Sequence, residues 1–158
     1  MAALDKFRGI FLLAAFVAAL GIAVAVKAPA PDVAQKSAGK ASVVAASFTS
    51  AWCAACRILE PRLADAMSAF SDRAVEFVDF DFTFGDTLAL ADLAKAHDLS
   101  RLYEANKGAT GFTVLVDANT GEIIDTLTMN FSPGDIRAAI ERALAIATHT
   151  EDAAGARD

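Results

Sequence analysis

The chain has 158 residues, a formal net charge of −6 and a hydrophobic fraction of 55%. This length predicts one domain with a sizeable core, and the acidic balance without a basic patch argues against a nucleic-acid partner. Both cysteines fall in one short motif, so a disulfide scaffold is excluded.

The N-terminus has the pattern of a membrane-targeting segment. Lys6 and Arg8, within residues 1–8, precede an uncharged apolar run at 9–26. A run of this length, at about 1.5 Å per residue, is just enough to span a hydrocarbon core. The length favours a retained signal anchor, while an Ala-x-Ala sequence at 23–25 fits the cleavage site of a signal peptide. On both interpretations residues 1–8 stay in the cytoplasm and the rest crosses the membrane.

Residues 27–40 alternate Ala with Pro and then turn polar, which predicts a tether. Regular apolar patterning begins at Ala41 and ends near Ala147, and residues 148–158 are predicted to be a flexible tail. The predicted elements are a strand at 43–48, a helix at 53–70, a strand at 74–80, a helix at 86–97, a hairpin of strands 112–116 and 122–127, and a helix from Pro133 to about Ala147.

Chemistry concentrates in the segment Trp52-Cys53-Ala54-Ala55-Cys56, where a predicted strand gives way to a predicted helix. This junction puts Cys53 at a helix N-terminus, whose unpaired N–H groups favour the thiolate, the reactive form of cysteine. Cys56 follows one turn later on the same face, close enough to close a small disulfide ring. The spacing therefore predicts disulfide exchange, in which Cys53 attacks and Cys56 resolves the mixed disulfide.

Four features of residues 41–147 together resemble the thioredoxin superfamily. They are the apolar strand, the Trp52-Cys53-x-x-Cys56-Arg57 junction, the helix containing Pro61, and the hairpin with its terminal helix. The resemblance implies an α/β thioredoxin-like fold, with the order β-α-β-α-β-β-α and a central mixed sheet flanked by helices.

The resemblance also implies roles for the residues of the motif. Cys53 is expected to be the exposed nucleophile and Cys56 the resolving thiol, with Trp52 on the surface that meets the partner. Pro61 is expected to kink the helix, because proline lacks an N–H donor. Arg57 follows Cys53 by one turn and favours its thiolate, although an exposed charge has a small effect.

Three positions depart from the family pattern. The substrate-docking loop, Thr110-Gly111-Phe112-Thr113, lacks the cis-proline that family members carry there, so we expect trans peptide bonds. Ser47 replaces a buried aspartate that lies six residues before the first cysteine in thioredoxins. The pair Ala54-Ala55 between the cysteines matches neither reductive thioredoxins nor strong oxidants, so it leaves the reduction potential open.

Some residues are interpreted as structural. Asp79 and Asp81 share one face of a predicted strand, and we assign them to its solvent side rather than to a paired-carboxylate site. Trp52 fits either a docking surface or the core. Seven phenylalanines are assigned to the core by default: Phe48, Phe70, Phe77, Phe80, Phe82, Phe84 and Phe112.

These patterns predict a periplasmic thiol-disulfide oxidoreductase, anchored to the inner membrane by residues 9–26. The resemblance implies a reductant that acts on protein thiols or disulfides and takes electrons from a membrane donor. No cofactor and no closed metal ligand set are predicted. Two other functions stay open: a copper-binding or copper-delivery module that uses the paired thiolates, and a non-catalytic interaction domain.

Overall fold

The computed structural model of the protein describes residues 40–155. The predicted anchor at 9–26, and the tether except for Lys40, lie outside these residues. Within 40–155, no helix combines the length and the apolar character needed to cross a membrane.

The elements largely follow the predicted order. They are, along the chain, β1 Val43–Thr49, α1 Cys56–Met67 with a 3₁₀ turn Ser68–Phe70, β2 Val75–Asp81, α2 Leu88–Ala96, α3 Ser100–Asn106, β3 Phe112–Asp117, β4 Ile123–Thr128 and α4 Pro133–Gly155. The strands form one sheet in the order β2-β1-β3-β4. β1 and β2 run parallel, and the β1–β3 and β3–β4 pairs are antiparallel. The predicted mixed sheet and thioredoxin-like fold are confirmed.

Strand β1 lies in the middle of the sheet and is buried along its whole length. Its side chains alternate between two hydrophobic clusters, because successive residues of a strand point to opposite faces. Val43 and Ala45 pack in the cluster formed with α1 and α4, whereas Val44 and Ala46 pack with α2 and α3. Burial on both faces explains why this strand is continuously apolar.

Helix α4 begins with a cap whose signal lies in the sequence Ser132-Pro133-Gly134-Asp135. The Ser132 hydroxyl and the Asp135 carboxylate bond reciprocally, with Asp135 N–H donating to Ser132 Oγ at 3.2 Å and Ser132 N–H donating to Asp135 Oδ2 at 2.9 Å. Such a capping box satisfies N–H groups that the first turn leaves unpaired.

The helix continues to Gly155, so the predicted tail beginning at residue 148 is wrong for residues 148–155. The hydroxyls of Thr148 and Thr150 bond carbonyls one turn earlier in the helix. In addition, Asn119 Nδ2 in the β3–β4 turn donates to Glu151 Oε1 at 2.8 Å, which ties this end of the helix to the sheet.

Helix α3 is an element that the sequence analysis did not predict. Asp98 turns the chain after α2 with a φ of 58°. Tyr103 is the buried residue of α3, and its ring packs on Phe80 and Phe82 at centroid distances of 5.3 and 6.1 Å. A helix of seven residues held by one buried aromatic carries too little apolar periodicity to be seen in the sequence.

The core assignment of the phenylalanines holds for six residues and is wrong for Phe84. Four of them are buried, and Phe77 and Phe112 pack partly buried against the clusters. Phe84, in contrast, is 91% exposed. β2 ends at Asp81, and Gly85 then turns the chain with a φ of 82°, so Phe84 leaves the alternation of the strand.

Candidate active site

The two cysteines lie at the junction between β1 and α1. The loop after Thr49 closes with Cys53 N–H donating to Ser50 O at 3.0 Å, and α1 begins at Cys56. The first N–H group of the helix, that of Cys56, donates to Cys53 Sγ at 3.1 Å. The predicted placement of Cys53 at a helix N-terminus is therefore confirmed. Both residues are free thiols; Cys53 is partly exposed and Cys56 is buried.

The pKa of Cys53 lies below its ordinary value. Burial raises this pKa, but hydrogen bonds to the sulfur more than offset that effect. They come from the Cys56 thiol, the Thr110 hydroxyl, and the backbone of Cys56 and Ala55. Each of these donors stabilises a thiolate more than a thiol. Of the two thiols, Cys53 is therefore the one with the larger thiolate fraction near neutral pH.

The pKa of Cys56 moves the other way, to about 11. Burial is the largest cause, and only 1% of the residue is exposed. Its hydrogen bond to Cys53 and the negative charges of Cys53 and Glu60 add to the increase. Cys56 therefore keeps its proton and donates it in a hydrogen bond to the neighbouring thiolate.

The loop before β3 closes one side of Cys53. Its peptide bonds are trans, as expected without a proline. Gly111 N–H donates to Phe48 O at 2.8 Å, and Gly111 has a φ of 102°. A Cβ atom on Gly111 would lie 3.3 Å from Cys53 Sγ and 3.0 Å from Ala55 Cβ. Only glycine lets the backbone approach the thiol this closely.

The four residues of the predicted docking loop divide into two pairs. Thr110 and Gly111 border Cys53, whereas Phe112 and Thr113 begin β3 and point into the domain. Phe112 stacks on Phe48 at a centroid distance of 5.1 Å. Thr113 is buried, and its hydroxyl bonds Ser47 Oγ at 2.9 Å. At the position where thioredoxins carry an aspartate, this chain therefore has a neutral serine. Its hydroxyl is hydrogen-bonded to the hydroxyl of Thr113.

Trp52 directly precedes Cys53 and is 81% exposed, which excludes the core interpretation. Its indole Nε1 donates to Thr83 O at 3.3 Å, and Ala51 N–H donates to Thr83 Oγ1 at 2.9 Å. These bonds tie the loop before Cys53 to the loop after β2. Its docking role stays a prediction.

Arg57 and Pro61 both lie on α1. Arg57 is exposed, and the lowered pKa of Cys53 follows from hydrogen bonds rather than from this charge. Pro61 lies inside the helix, as predicted, and leaves the carbonyl of Arg57 without its intrahelical donor.

A group of carboxylates beside Cys56 was not predicted from the sequence. Glu60 follows Cys56 by one helical turn, and its charge acts on Cys56. Partial loss of solvation at the protein surface and the charges of Asp79 and Asp81 raise the pKa of Glu60. Burial also raises the pKa of Asp79, which accepts a 2.8 Å hydrogen bond from Thr49 Oγ1. The four-residue spacing of Cys56 and Glu60 was the signal that could have indicated this contact.

The described part of the chain, residues 40–155, contains no group of three or more His, Cys, Asp or Glu side chains placed to hold a metal ion. The two thiols are therefore the ligands that a copper-binding role would use here. That function stays an untested alternative.

The chain was compared with protein-family models, with curated proteins and with solved structures. The family model described as Thioredoxin matches residues 31–102, which include the cysteine motif, α1, β2 and α2. A comparison with curated proteins found no match.

Several solved structures are similar to the chain. A thioredoxin-like protein, Trxlp, from Edwardsiella tarda has 18% identity, covers 66% of this chain and 84% of its own, and gives a TM-score of 0.42. StoA from Bacillus subtilis has 17% identity, with coverage of 65% and 85% and a TM-score of 0.46. A thioredoxin from Malassezia sympodialis has 23% identity, with coverage of 67% and 78% and a TM-score of 0.40.

Proposed function

We propose that the chain, whose residues 31–102 match the Thioredoxin family model, is a thiol-disulfide oxidoreductase of the thioredoxin superfamily that reduces disulfides of extracytoplasmic proteins. The observation that carries the proposal is the opposite tuning of two adjacent thiols, a reactive Cys53 and a protonated Cys56.

The exchange runs in two steps. The Cys53 thiolate attacks one sulfur of a substrate disulfide, forms a mixed disulfide, and expels the other substrate sulfur as a thiolate. Cys56 then loses its proton to water or to the departing thiolate and attacks Cys53 Sγ. This second attack closes the Cys53–Cys56 disulfide and releases the second substrate thiolate. Two electrons pass to the substrate, and a membrane-bound dithiol donor returns the enzyme to its reduced form.

The direction of electron flow is supported by how the Cys53 thiolate is stabilised. Strong oxidants stabilise their reduced form heavily. Here the pKa of Cys53 is raised by burial and lowered by hydrogen bonds, and among the described residues no positive charge contributes to the lowering. A thiolate that no cation stabilises leaves a disulfide less readily than one that a cation stabilises, and this favours a reductant.

The extracytoplasmic location is supported by the sequence of residues 1–26, where positive charges precede an apolar run. In a bacterium the compartment reached this way is the periplasm, and retention of residues 9–26 would hold the enzyme at the inner membrane. A thiol reagent that cannot cross the inner membrane tests this proposal in intact spheroplasts. We expect it to label Cys53, and labelling that occurs only after lysis would contradict the location.

The equilibrium reduction potential tests the direction. We expect a value near that of thioredoxin, about −270 mV, for the full chain in detergent and dithiothreitol buffers. A value near about −120 mV would mark a disulfide donor and overturn the reductant role.

A trapping experiment tests the order of attack. Cys56→Ser is expected to accumulate a mixed disulfide with substrate, because the first attack proceeds and the second cannot. Cys53→Ser should trap nothing. Trapping by Cys53→Ser instead would reverse the assigned roles.

A further inference from the structure

Three large apolar side chains stand exposed, one in the active-site loop and two along the segment that follows β2. We name Trp52, Phe84 and Leu88 the apolar rim; Trp52 is described above, Phe84 is almost fully exposed, and Leu88 is 87% exposed. Trp52 donates a hydrogen bond to the carbonyl of the residue that precedes Phe84, so the two belong to one surface. Leaving such side chains in water gives up the free energy that their burial would provide. Clustered exposed apolar side chains commonly mark an interaction site.

The loop that carries Phe84 is held in place from both ends. At its start, Thr83 N–H donates to Asp81 Oδ1 at 2.8 Å, and Gly85 N–H donates to Phe82 O at 2.9 Å. At its end, Asp86 accepts a hydrogen bond from the Tyr103 hydroxyl and pairs with Lys107 Nζ at 2.8 Å. These contacts hold the backbone on both sides of Phe84, which lowers the ordering cost of binding at this loop.

The surface next to the apolar rim is negatively charged. Asp81 bonds Thr83 in the same loop, and its charge acts on Glu60 and Asp79. Burial, together with the mutual repulsion of these carboxylates, raises the pKa of Glu60 and of Asp79. Even with Arg57 at the start of α1, three carboxylates leave this side of the site negative. A cation placed there would relieve the repulsion.

We propose that Phe84 and Leu88, with Trp52, dock a polypeptide segment that carries apolar side chains beside its reactive disulfide and a Lys or Arg facing Glu60, Asp79 and Asp81. This inference rests on the proposed function and names its substrate class. The apolar contacts hold the segment across Cys53. The three carboxylates favour a segment that carries a positive charge at this position. Phe84 and Leu88 are binding residues and take no part in the exchange of sulfur bonds.

A pair of matched peptide disulfides tests the proposal on the reduced full chain in detergent. Both are symmetric disulfides of a short peptide; one carries Leu and Phe beside cysteine and a nearby Lys, the other Ser and Glu at those positions. Hydroxyethyl disulfide is the small reference substrate. Oxidation of the enzyme is followed through Trp52, the one tryptophan of the chain.

We expect the wild-type enzyme to prefer the basic, apolar peptide, and the preference to shrink as salt rises. In Phe84→Ala, the ratio of the rate constants for this peptide and hydroxyethyl disulfide should fall about tenfold, as for loss of one buried aromatic contact. Leu88→Ala should lower the ratio less. Ile123→Ala is the matched control, because Ile123 is another exposed apolar residue, on the edge strand β4 away from the site.

The outcomes separate the two proposals. If the wild type reduces neither peptides nor hydroxyethyl disulfide, the proposed function fails. If it reduces all of them and Phe84→Ala keeps the wild-type ratio, the docking surface is overturned. Equal rates for both peptides would overturn the charge selection. An unchanged ratio with a change of oligomeric state in Phe84→Ala would assign the apolar rim to a second copy of the chain and likewise overturn the proposal.

Discussion

The surroundings of Cys53 and of Cys56 differ although both residues lie at the N-terminal end of the same helix. Around Cys53, neutral donors converge on a partly exposed sulfur and lower its pKa against the effect of burial. Around Cys56, burial dominates, and the nearest charges are negative, so its pKa rises to about 11. A helix N-terminus favours both thiolates, so it cannot account for the opposite shifts. The difference comes from packing: a loop more than fifty residues away in the sequence supplies a donor to Cys53 alone.

The largest expected effect comes from crowding the Cys53 side. Gly111→Ala places a Cβ atom 3.0 Å from Ala55 Cβ and 3.3 Å from Cys53 Sγ at a φ of 102°. We expect the free energy of unfolding to fall by about 2 kcal/mol or more, since both strain and crowding contribute. Attack by Cys53 on a disulfide should slow as well. Urea unfolding and single-turnover kinetics measure the two effects.

Gly108→Ala is the matched control for this substitution. Gly108 has a φ of 79°, and a Cβ atom added there would meet nothing within 4 Å. The free energy of unfolding of Gly108→Ala should fall by only about 1 kcal/mol, the cost of the backbone conformation, and the reactivity of Cys53 should not change. Equal losses in the two variants would show that the close approach to Cys53 has no energetic role.

Removing a single donor from Cys53 should have a smaller effect. In Thr110→Val the pKa of Cys53 should rise, because the hydroxyl that favours the thiolate is lost. If the hydrogen bond contributes about 1 kcal/mol, the rate of alkylation near neutral pH should fall a few-fold. The pH dependence of iodoacetamide alkylation measures it. Thr110→Ser keeps a hydroxyl and should stay close to the wild type; a matching loss there would argue against the hydrogen bond.

The two thiols should also differ in how they couple stability to pH. The folded pKa of Cys56 is raised from about 9.0 to about 11, so its contribution to stability is fully present below pH 9 and is lost as pH rises through 11. Cys53, with a lowered folded pKa, keeps its contribution over this range. We therefore expect the reduced protein to lose stability relative to the oxidised protein between pH 9 and 11. Urea unfolding of both forms across this pH range measures the difference. If the free energies of unfolding of the reduced and oxidised protein change in parallel with pH, the prediction is wrong.

The smallest effect is expected from the carboxylate beside Cys56. Glu60→Gln should lower the pKa of Cys56, because burial remains but one negative charge is removed. The change should be slight, since Glu60 is exposed and solvent screens its charge. Thiolate absorbance during a pH titration measures it, and Glu122→Gln, a substitution in the distant β3–β4 turn, is the control. A higher pKa of Cys56 in Glu60→Gln would reverse the assigned sign.

Local patterns were sufficient to predict most of the domain. The strand, the Trp52-Cys53-Ala54-Ala55-Cys56 junction and the Ser132–Asp135 cap each carry their signal within a few residues, and the structure confirms the placement of each. Elements whose support comes from elsewhere were missed or misjudged. Helix α3 depends on the packing of Tyr103 against β2 and the loop that follows it, and the last turns of α4 depend on Asn119.

The sequence by itself determined the order of the elements, the sheet core and the position of the dithiol at the start of α1, because apolar periodicity and helix-end chemistry act between near neighbours. Only the tertiary structure decided how the pKa values of the two thiols come to diverge, since Thr110 and Gly111 reach Cys53 from a distant part of the sequence. It also decided that Phe84 faces solvent, because a turn at Gly85 and bonds to α3 and its C-terminal end set the direction of that loop. Hydrogen bonds and close contacts between distant segments form only when the chain has folded, so no local pattern records them.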